Sequence, residues 1–412
     1  MQTRALVEGV WKVEATRIVA TVARMVRDVG VAEEIAQDCL VTALEQWPVK
    51  GPPDNPAAWL MTTARNRAVD RIRRDQRLAA NLAELGHRLP GESDLEVEPD
   101  QIEDDVLRLV FVACHPVLAA QSRVALALRL LGGLRAAEIA RAFLVPEATV
   151  AQRISRAKRT LADKQVPFEV PTGADRPQRL TSVLEVIYLI FNEGYSASAG
   201  DDLLRPALCQ DALHLGRSLA ALMPDEPEVH GLTALMELQA SRLRARTGPN
   251  GEAVVLGEQN RARWDQLLIR RGLAALEKAQ ALGGSFGPYT LQAAIAAAHA
   301  RARTPEETDW KRIAALYQVL FTVLPSPVVA LNRAVAFGMA FGPQAGLDAV
   351  DVLAEADEPA MRNYHLLPGV RADLLARLGR TEEARAEFER AAALSSNRRE
   401  REALLGRLRE LA

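Results

Sequence analysis

The chain has 412 residues, with 51 Lys and Arg against 53 Asp and Glu and only 5% aromatic residues. That length exceeds one ordinary compact domain and predicts two or three, and a hydrophobic content of 49% supplies their cores and excludes a disordered protein. A net charge of -2 provides no overall basic field, so any nucleic-acid surface has to come from local patterning.

Ala, Leu, Arg and Glu dominate, residues that lose little rotamer freedom in a helix, and the expected fold class is all-α. Cys39, Cys114 and Cys209 are odd in number, far apart and set in apolar helical patterns. Neither a disulfide framework nor a zinc site is expected from them, and a reducing cytoplasm is. The N-terminal MQTRALVEGVWK lacks a signal-peptide core, and no stretch approaches the roughly 20 apolar residues of a membrane span, so no membrane partner is expected.

Residues 5 to 80 read as helices broken at Gly30 and across Pro48–Pro56, where four prolines and a glycine oppose a helix. Laid at about 100° per residue, the segment from Val31 to Trp47 puts Ala36, Leu40, Ala43 and Trp47 in one stripe. Glu34, Asp38 and Glu45 gather opposite, with Gln37 at the edge; a plain solvated surface explains most such acidic faces. The next helix opens with Asn55 as N-cap and Pro56 as first residue, where a missing N–H costs nothing. Its buried stripe is Met61, Ala64, Ala68 and Ile72. Trp59, Thr62, Asn66, Arg73 and Arg77 fall on the other side, flanked by Thr63 and Asp70, and six arginines, Arg65, Arg67, Arg71, Arg73, Arg74 and Arg77, lie within thirteen residues. An aromatic ring among amide, hydroxyl and guanidinium groups suits single-stranded DNA, because bases stack on aromatics while arginines hold phosphates.

Residues 90–105 carry eight acids and no base, a composition that resists packing and reads as a linker. Helices resume near Ile102 and run to about Lys164. Within them LRAAEIARAFLVPEATVAQRISRAKRTL has the helix-turn-helix pattern: Leu134, Ile139 and Ala140 anchor a first helix, a turn falls around Leu144 and Val145, and Pro146 opens a second helix held by Val150, Ile154, Ala157 and Leu161. Gln152, Ser155, Arg156 and Arg159 project opposite those anchors, with Thr149 and Arg153 beside them, and four basic residues (Arg153, Arg156, Lys158, Arg159) face one acid, Glu147. Such a helix fits a major groove about 12 Å wide, where Gln and Arg pair bidentately with adenine and guanine edges.

VPFEVPTGADRP marks a second boundary, and from Gln178 onward amphipathic segments alternate with short Gly/Pro breaks. Near the C-terminus two helix, Gly-turn, helix units repeat, with Ala334 and Ala372 equivalent and 38 positions apart. The second resembles a tetratricopeptide (TPR) repeat in Ala372, Gly379, Ala384, Phe388 and Ala391, although its spacing exceeds the roughly 34 residues of the standard unit. In NEGYSASAG, Glu193, Tyr195 and Ser196 suggest a catalytic loop only in isolation; without a spaced His or Asp partner the segment reads as a structural turn.

Three stretches in this order, AEEIAQDCLVTALEQW, NPAAWLMTTARNRAVDRIRRD and GLRAAEIARAFLVPEATVAQRISRAKRTL, resemble the extracytoplasmic-function (ECF) group of the sigma-70 superfamily. With VLEVIYLIFNEGYSASAG and the helical array after it, the chain is similar to members of that group bearing a long TPR-like C-terminal extension. The resemblance implies a sigma region 2 domain over 1–80, an acidic linker over 81–105, a sigma region 4 helix-turn-helix domain over 106–166 and a C-terminal helical domain over 178–412. It implies a factor that directs RNA polymerase to promoters, with no catalysis and no cofactor or metal of its own. Glu33, Glu34, Gln37 and Asp38 would dock on the β′ clamp of the polymerase core, region 4 would meet the β flap, and promoter DNA would be the second partner. Trp59, Thr62, Thr63, Asn66, Arg67, Asp70, Arg73, Arg74 and Arg77 would take the minus-ten element, with Asn66 at a base turned out of the stack. Thr149, Gln152, Arg153, Arg156, Lys158 and Arg159 would read the minus-thirty-five element. Ala151 departs from the basic residue many relatives carry there, which removes one contact. The acidic linker would mimic nucleic acid in the polymerase channel, so the free factor is expected to bind DNA poorly, and the C-terminal domain would regulate or support activity through an intramolecular contact near residues 183–200. A stand-alone helix-turn-helix regulator with a TPR-like sensor is the rival reading; it leaves the acidic 31–47 face, Trp59 and Asn66 without a role. An enzyme is a weaker rival, because six scattered histidines show no metal-ligand spacing and no glycine-rich phosphate loop occurs.

Overall fold

The structure is a computed structural model; it describes residues 2–82, 99–143, 145–196, 204–248, 252–356, 361–362, 364–395 and 397–411. The chain is all-α, and among the described residues Thr247 and Ala253 pair in an isolated antiparallel bridge without forming a strand. Two compact units divide it, Met1–Ile187 and Tyr188–Ala412.

The first unit starts with α1 (Gln2–Val26), whose Ile18, Val19, Val22 and Ala23 are buried. The break before α2 (Val29–Lys50) falls two residues earlier than Gly30. Arg27 adopts φ 55°, and Asp28 caps the helix by accepting from the Val31 N–H at 2.9 Å, so Gly30 lies inside the first turn. Nor does Pro48 end α2. Placed in the last turn, it forfeits one hydrogen bond without blocking the turn, and the helix stops at Gly51, whose φ of 83° only glycine adopts freely. The α3 helix (Pro56–Leu82) opens as expected, with Asn55 Oδ1 accepting from the Ala58 N–H at 3.1 Å. Leu60, Ala64 and Ala68 are fully buried, while Met61 is only half-buried; the inward stripe is rotated towards Leu60 from the expected one.

The expected linker is shortened at its end. The α4 helix (Pro99–Ala113) begins three residues before Ile102, and the remainder, 83–98, lies outside the described residues. Asp105, read as a linker acid, has a fully buried side chain between Arg24 Nε of α1 (2.9 Å) and Arg108 Nη1 (2.6 Å). Burial pushes its carboxyl above the ordinary value even against these two guanidiniums, which makes the cluster a positional anchor for α4 on α1.

The α5 (Ala120–Leu130), α6 (Ala136–Phe143) and α7 (Glu147–Asp163) helices form a trihelical layer in which α5 and α6 pack on α7. Ile139, Ala140, Val150, Ile154, Ala157 and Leu161 are buried as expected, Leu134 is half-buried, and Leu144 lies outside the described residues. The α8 helix (Asp175–Tyr195) divides between the units at Ile187. Its first half is built into the first unit: Ser182 Oγ donates to the Cys114 carbonyl at 2.6 Å, Arg179 to the Phe111 carbonyl at 3.1 Å, and Arg123 of α5 reaches Ser182 and Glu185.

The second unit continues as antiparallel helix pairs: α9 (Pro206–Leu222), α10 (Pro227–Ala240), α11 (Gln266–Ala281), α12 (Pro288–Arg301), α13 (Trp310–Val323), α14 (Pro327–Phe341), α15 (Pro343–Glu355), α16 (Leu366–Arg377), α17 (Thr381–Leu394) and α18 (Arg398–Glu410). Each core is shared with the next pair: Ala234, Leu238, Leu276 and Ala293, then Leu291, Ile295, Ile313 and Leu320, then Leu331, Leu347, Val350 and Leu375. Both C-terminal hairpins turn as read, at Gly342 (φ 101°) and Gly379 (φ 75°), and Ala334 and Ala372 are both fully buried. Small residues sit there because the helices approach closely; a Cβ on Gly346 would stand 2.8 Å from Gly338 Cα. Among the described residues no helix is long and apolar enough to cross a membrane.

Candidate nucleic-acid interface

The α3 helix presents a polar face backed by fully buried Leu60, Ala64 and Ala68. Thr62, Asn66, Asp70, Arg73, Arg74 and Arg77 are exposed along it, and Trp59, Thr63 and Arg67 are half-buried. Trp59 stands edge-on to buried Trp47, with ring centroids 5.5 Å apart and planes at 72°. One indole is therefore braced by the other, which restricts the rotamers open to Trp59. Thr63 Oγ1 donates back to the Trp59 carbonyl at 2.8 Å.

On α2, Glu34, Gln37 and Asp38 are exposed. Asp38 lies 3.2 Å from Arg67 Nη1, and Arg67 also donates to Thr42 Oγ1 at 2.7 Å, so one expected polymerase contact and one expected DNA contact hold each other. The fourth member of that face departs from expectation. Glu33 is buried, 5% exposed, and faces the helix-turn-helix layer. Its Oε1 accepts from Arg129 Nε of α5 at 2.5 Å and from Gln37 Nε2 at 2.7 Å, and its Oε2 meets Lys158 Nζ of α7 at 2.5 Å. Burial raises the Glu33 pKa, but Lys158 and Arg129 together outweigh burial and hold the carboxyl below its ordinary value.

The outward face of α7 carries exposed Gln152, Ser155, Arg156 and Arg159, with Thr149 and Arg153 half-buried beside them. Lys158, expected among the DNA contacts, pairs with Glu33 in this structure, its stem lying against Gly30, where a Cβ would come within 3.6 Å of Lys158 Cδ. A cleft of about 650 Å³ opens between α2 and α7, lined by Glu33, Glu34 and Gln37 on one wall and Ser155, Lys158 and Arg159 on the other. Sequence reasoning missed Arg129, although a lone Arg in the apolar run VALALRLL signals a buried acidic partner.

Residues of the NEGYSASAG segment are engaged structurally: Glu193 pairs with Arg205, and Tyr195 stacks on Phe191 with centroids 5.6 Å apart. Cys39, Cys114 and Cys209 are buried and unpaired.

Comparison with known proteins places three family descriptions on the chain. Sigma-70 region 2 matches residues 13–78, Sigma-70, region 4 matches 108–161, and a family of unknown function (DUF6596) matches 179–280. An uncharacterized protein of Rhizobium meliloti (strain 1021) is 47% identical over 381 residues, covering 91% of this chain and 88% of its own. The ECF RNA polymerase sigma factor SigK of Mycobacterium ulcerans (strain Agy99) is 32% identical over 154 residues, 35% of this chain and 78% of the relative. Its counterpart in Mycobacterium tuberculosis (strain ATCC 25177 / H37Ra) is 30% identical over the same length and shares. No solved structure matches the chain.

Proposed function

The chain belongs to the ECF group of the sigma-70 family and is an RNA polymerase sigma factor, with core polymerase and promoter DNA as its partners, and from that premise we propose how its faces divide the work. Exposed Glu34, Gln37 and Asp38 of α2 dock on the β′ clamp, charge complementarity steering the encounter. The α3 face captures the minus-ten element, Asn66 receiving a base turned out of the stack while Trp59 stacks and Arg73, Arg74 and Arg77 hold phosphates. Gln152, Arg153, Arg156 and Arg159 of α7, with Thr149, read the minus-thirty-five element, and region 4 rests on the β flap. The chain contributes recognition and strand capture, and no catalytic step of its own.

One observation carries this reading: two separate polar faces, on α3 and α7, are each mounted on a stripe of fully or nearly fully buried side chains, so neither face is needed for the core. The same geometry requires a rearrangement. Promoter positions 25 base pairs apart are separated by about 85 Å of B-DNA at about 3.4 Å per pair. The contacts Arg67–Asp38 (3.2 Å) and Glu33–Lys158 (2.5 Å), joined by five residues of α2, leave at most about 35 Å between the α3 and α7 backbones. With the two elements assigned to α3 and α7 as above, this conformation is a closed state that cannot engage both together, and binding to polymerase separates α7 from α2.

The C-terminal unit supports or regulates this step, and the anchoring of residues 179–185 on α4 and α5 supports α8 as the route. Initiation by core polymerase supplied with the full chain tests the proposal. Promoter-dependent transcripts are expected, reduced by Asn66→Ala and by Arg156→Ala; a chain that binds promoter DNA alone but confers no initiation on core would support the stand-alone regulator instead.

A further inference from the structure

Within the second unit, and wholly inside the 179–280 stretch matched by the family of unknown function, three guanidiniums alternate with two aromatic rings. Arg246 Cζ lies 3.7 Å from the centroid of Tyr195; Arg242 lies 5.8 Å from Tyr195 and 5.9 Å from Trp264; Arg261 lies 4.9 Å from Trp264. Arg242 is the member common to both rings, and its charge acts on Arg246 and on Arg261 alike. All three cations are half-buried, and none has a carboxylate within ion-pair distance among the described residues. Glu306 and Glu307 act on Arg261 only through space.

The outer two cations are fixed by neutral acceptors. Arg246 donates to the Tyr195 carbonyl at 2.5 Å, and Arg261 donates to the carbonyls of His299 and Ala302 at 2.7 and 2.6 Å and to Thr308 Oγ1 at 3.0 Å. Arg242, at the centre, donates no side-chain hydrogen bond to any described residue, and its Nε and that of Arg261 are buried without a partner. Cation–ring attraction explains the rings, since each has two guanidiniums within 6 Å of its centroid. It does not explain the charge: three like cations in a partly desolvated cluster repel, and five donors of the central one are unused. The surroundings register the same field. Buried His299 is held down to about 4, burial acting first and Arg242 and Arg261 adding to it, so it stays neutral and supplies no further charge at neutral pH.

We propose that Arg242, with Arg246 and Arg261, forms an anion-binding site in the C-terminal unit that takes the phosphate group of a small molecule. Planar guanidinium forks match phosphate oxygens, and a dianion balances most of the cluster's charge. This makes the unit a ligand-responsive module, independently of how α3 and α7 read DNA.

The test uses the full chain, titrated calorimetrically with inorganic phosphate and with adenosine monophosphate against chloride of matched ionic strength. Saturable binding of at least one phosphate probe is expected; tighter binding of the monophosphate assigns the site to an esterified phosphate, and equal binding assigns it to the free ion. Arg242→Gln is expected to weaken binding on the order of tenfold or more, while Arg244→Gln, at an exposed neighbour, leaves it unchanged. Without phosphate, Arg242→Gln relieves repulsion and is expected to unfold at the same or a higher temperature than the parent. Absence of binding in the parent, equal binding by Arg242→Gln, or a marked loss of stability in that variant, which would assign Arg242 to packing, each overturns the proposal.

Discussion

Replacing Glu33 with Gln removes a charge that ties α2 to both α5 and α7 while keeping side-chain volume. Breaking a buried ion pair by neutralising one partner costs about 3–5 kcal/mol when the remaining charges are stranded. Here the stranded partners, Arg129 and Lys158, are each 23% exposed and regain water, so the loss is nearer to about 2 kcal/mol. That corresponds to roughly a 30-fold shift from closed towards open. Fluorescence energy transfer between labels on Val41→Cys of α2 and Ala148→Cys of α7 reads this population directly, because both positions are exposed whereas Cys39, Cys114 and Cys209 are buried. In the free chain the low-transfer fraction should grow in Glu33→Gln and stay unchanged in Glu34→Gln, whose parent carboxylate is exposed. A folded Glu33→Gln chain with the same transfer distribution as the parent would refute the view that this cluster holds the unit closed.

The same contact has a defined pH window. Because Glu33 titrates below its ordinary value of 4.5, its stabilising contribution is fully present above that value and is lost as pH falls through the lower folded value; energy transfer should be flat from pH 8 to about pH 5 and fall only in stronger acid. Asp105→Ala strands Arg24 and Arg108 and should cost about 2 kcal/mol in denaturant unfolding of the first unit, with α1 and α4 losing amide protection together. Arg156→Ala should weaken minus-thirty-five binding without altering the fold and, if the residue meets a phosphate, lower the slope of log affinity against log salt by about 1. Trp59→Ala should reduce strand opening, by about 1–3 kcal/mol per stacked base, more than it reduces binding to core polymerase, and Trp59→Tyr should restore part of it.

The legible features were those fixed by short-range chemistry. Periodicity placed the helices, Asn55 and Pro56 set the start of α3, and the Gly342 and Gly379 turns followed from the need for positive φ. The exposure of Thr62, Asn66 and Arg73, and of Gln152, Arg156 and Arg159, followed from the apolar stripe on the opposite side of each helix. Helix boundaries shifted where a neighbour supplied the stop. Gly30 did not end a helix because Asp28, two residues earlier, supplied the cap, and Pro48 did not because it fell in a last turn with little left to lose.

By itself the amino-acid order determined which side chains share a helix face, and with that the all-α class and the family's sequence of polar faces. Only the packing of α2 on α5 and α7 decided that Glu33 and Lys158 would pair with each other in this structure, and only α1 against α4 turned Asp105 from a linker acid into a buried anchor. The physical reason is the same in both cases. A charge drawn out of water must find its counter-charge; Asp105 has one within its own helix in Arg108, but the partner that fixes α4 on α1 lies 81 positions away at Arg24, and Arg129 lies 96 from Glu33, beyond the reach of any helical period.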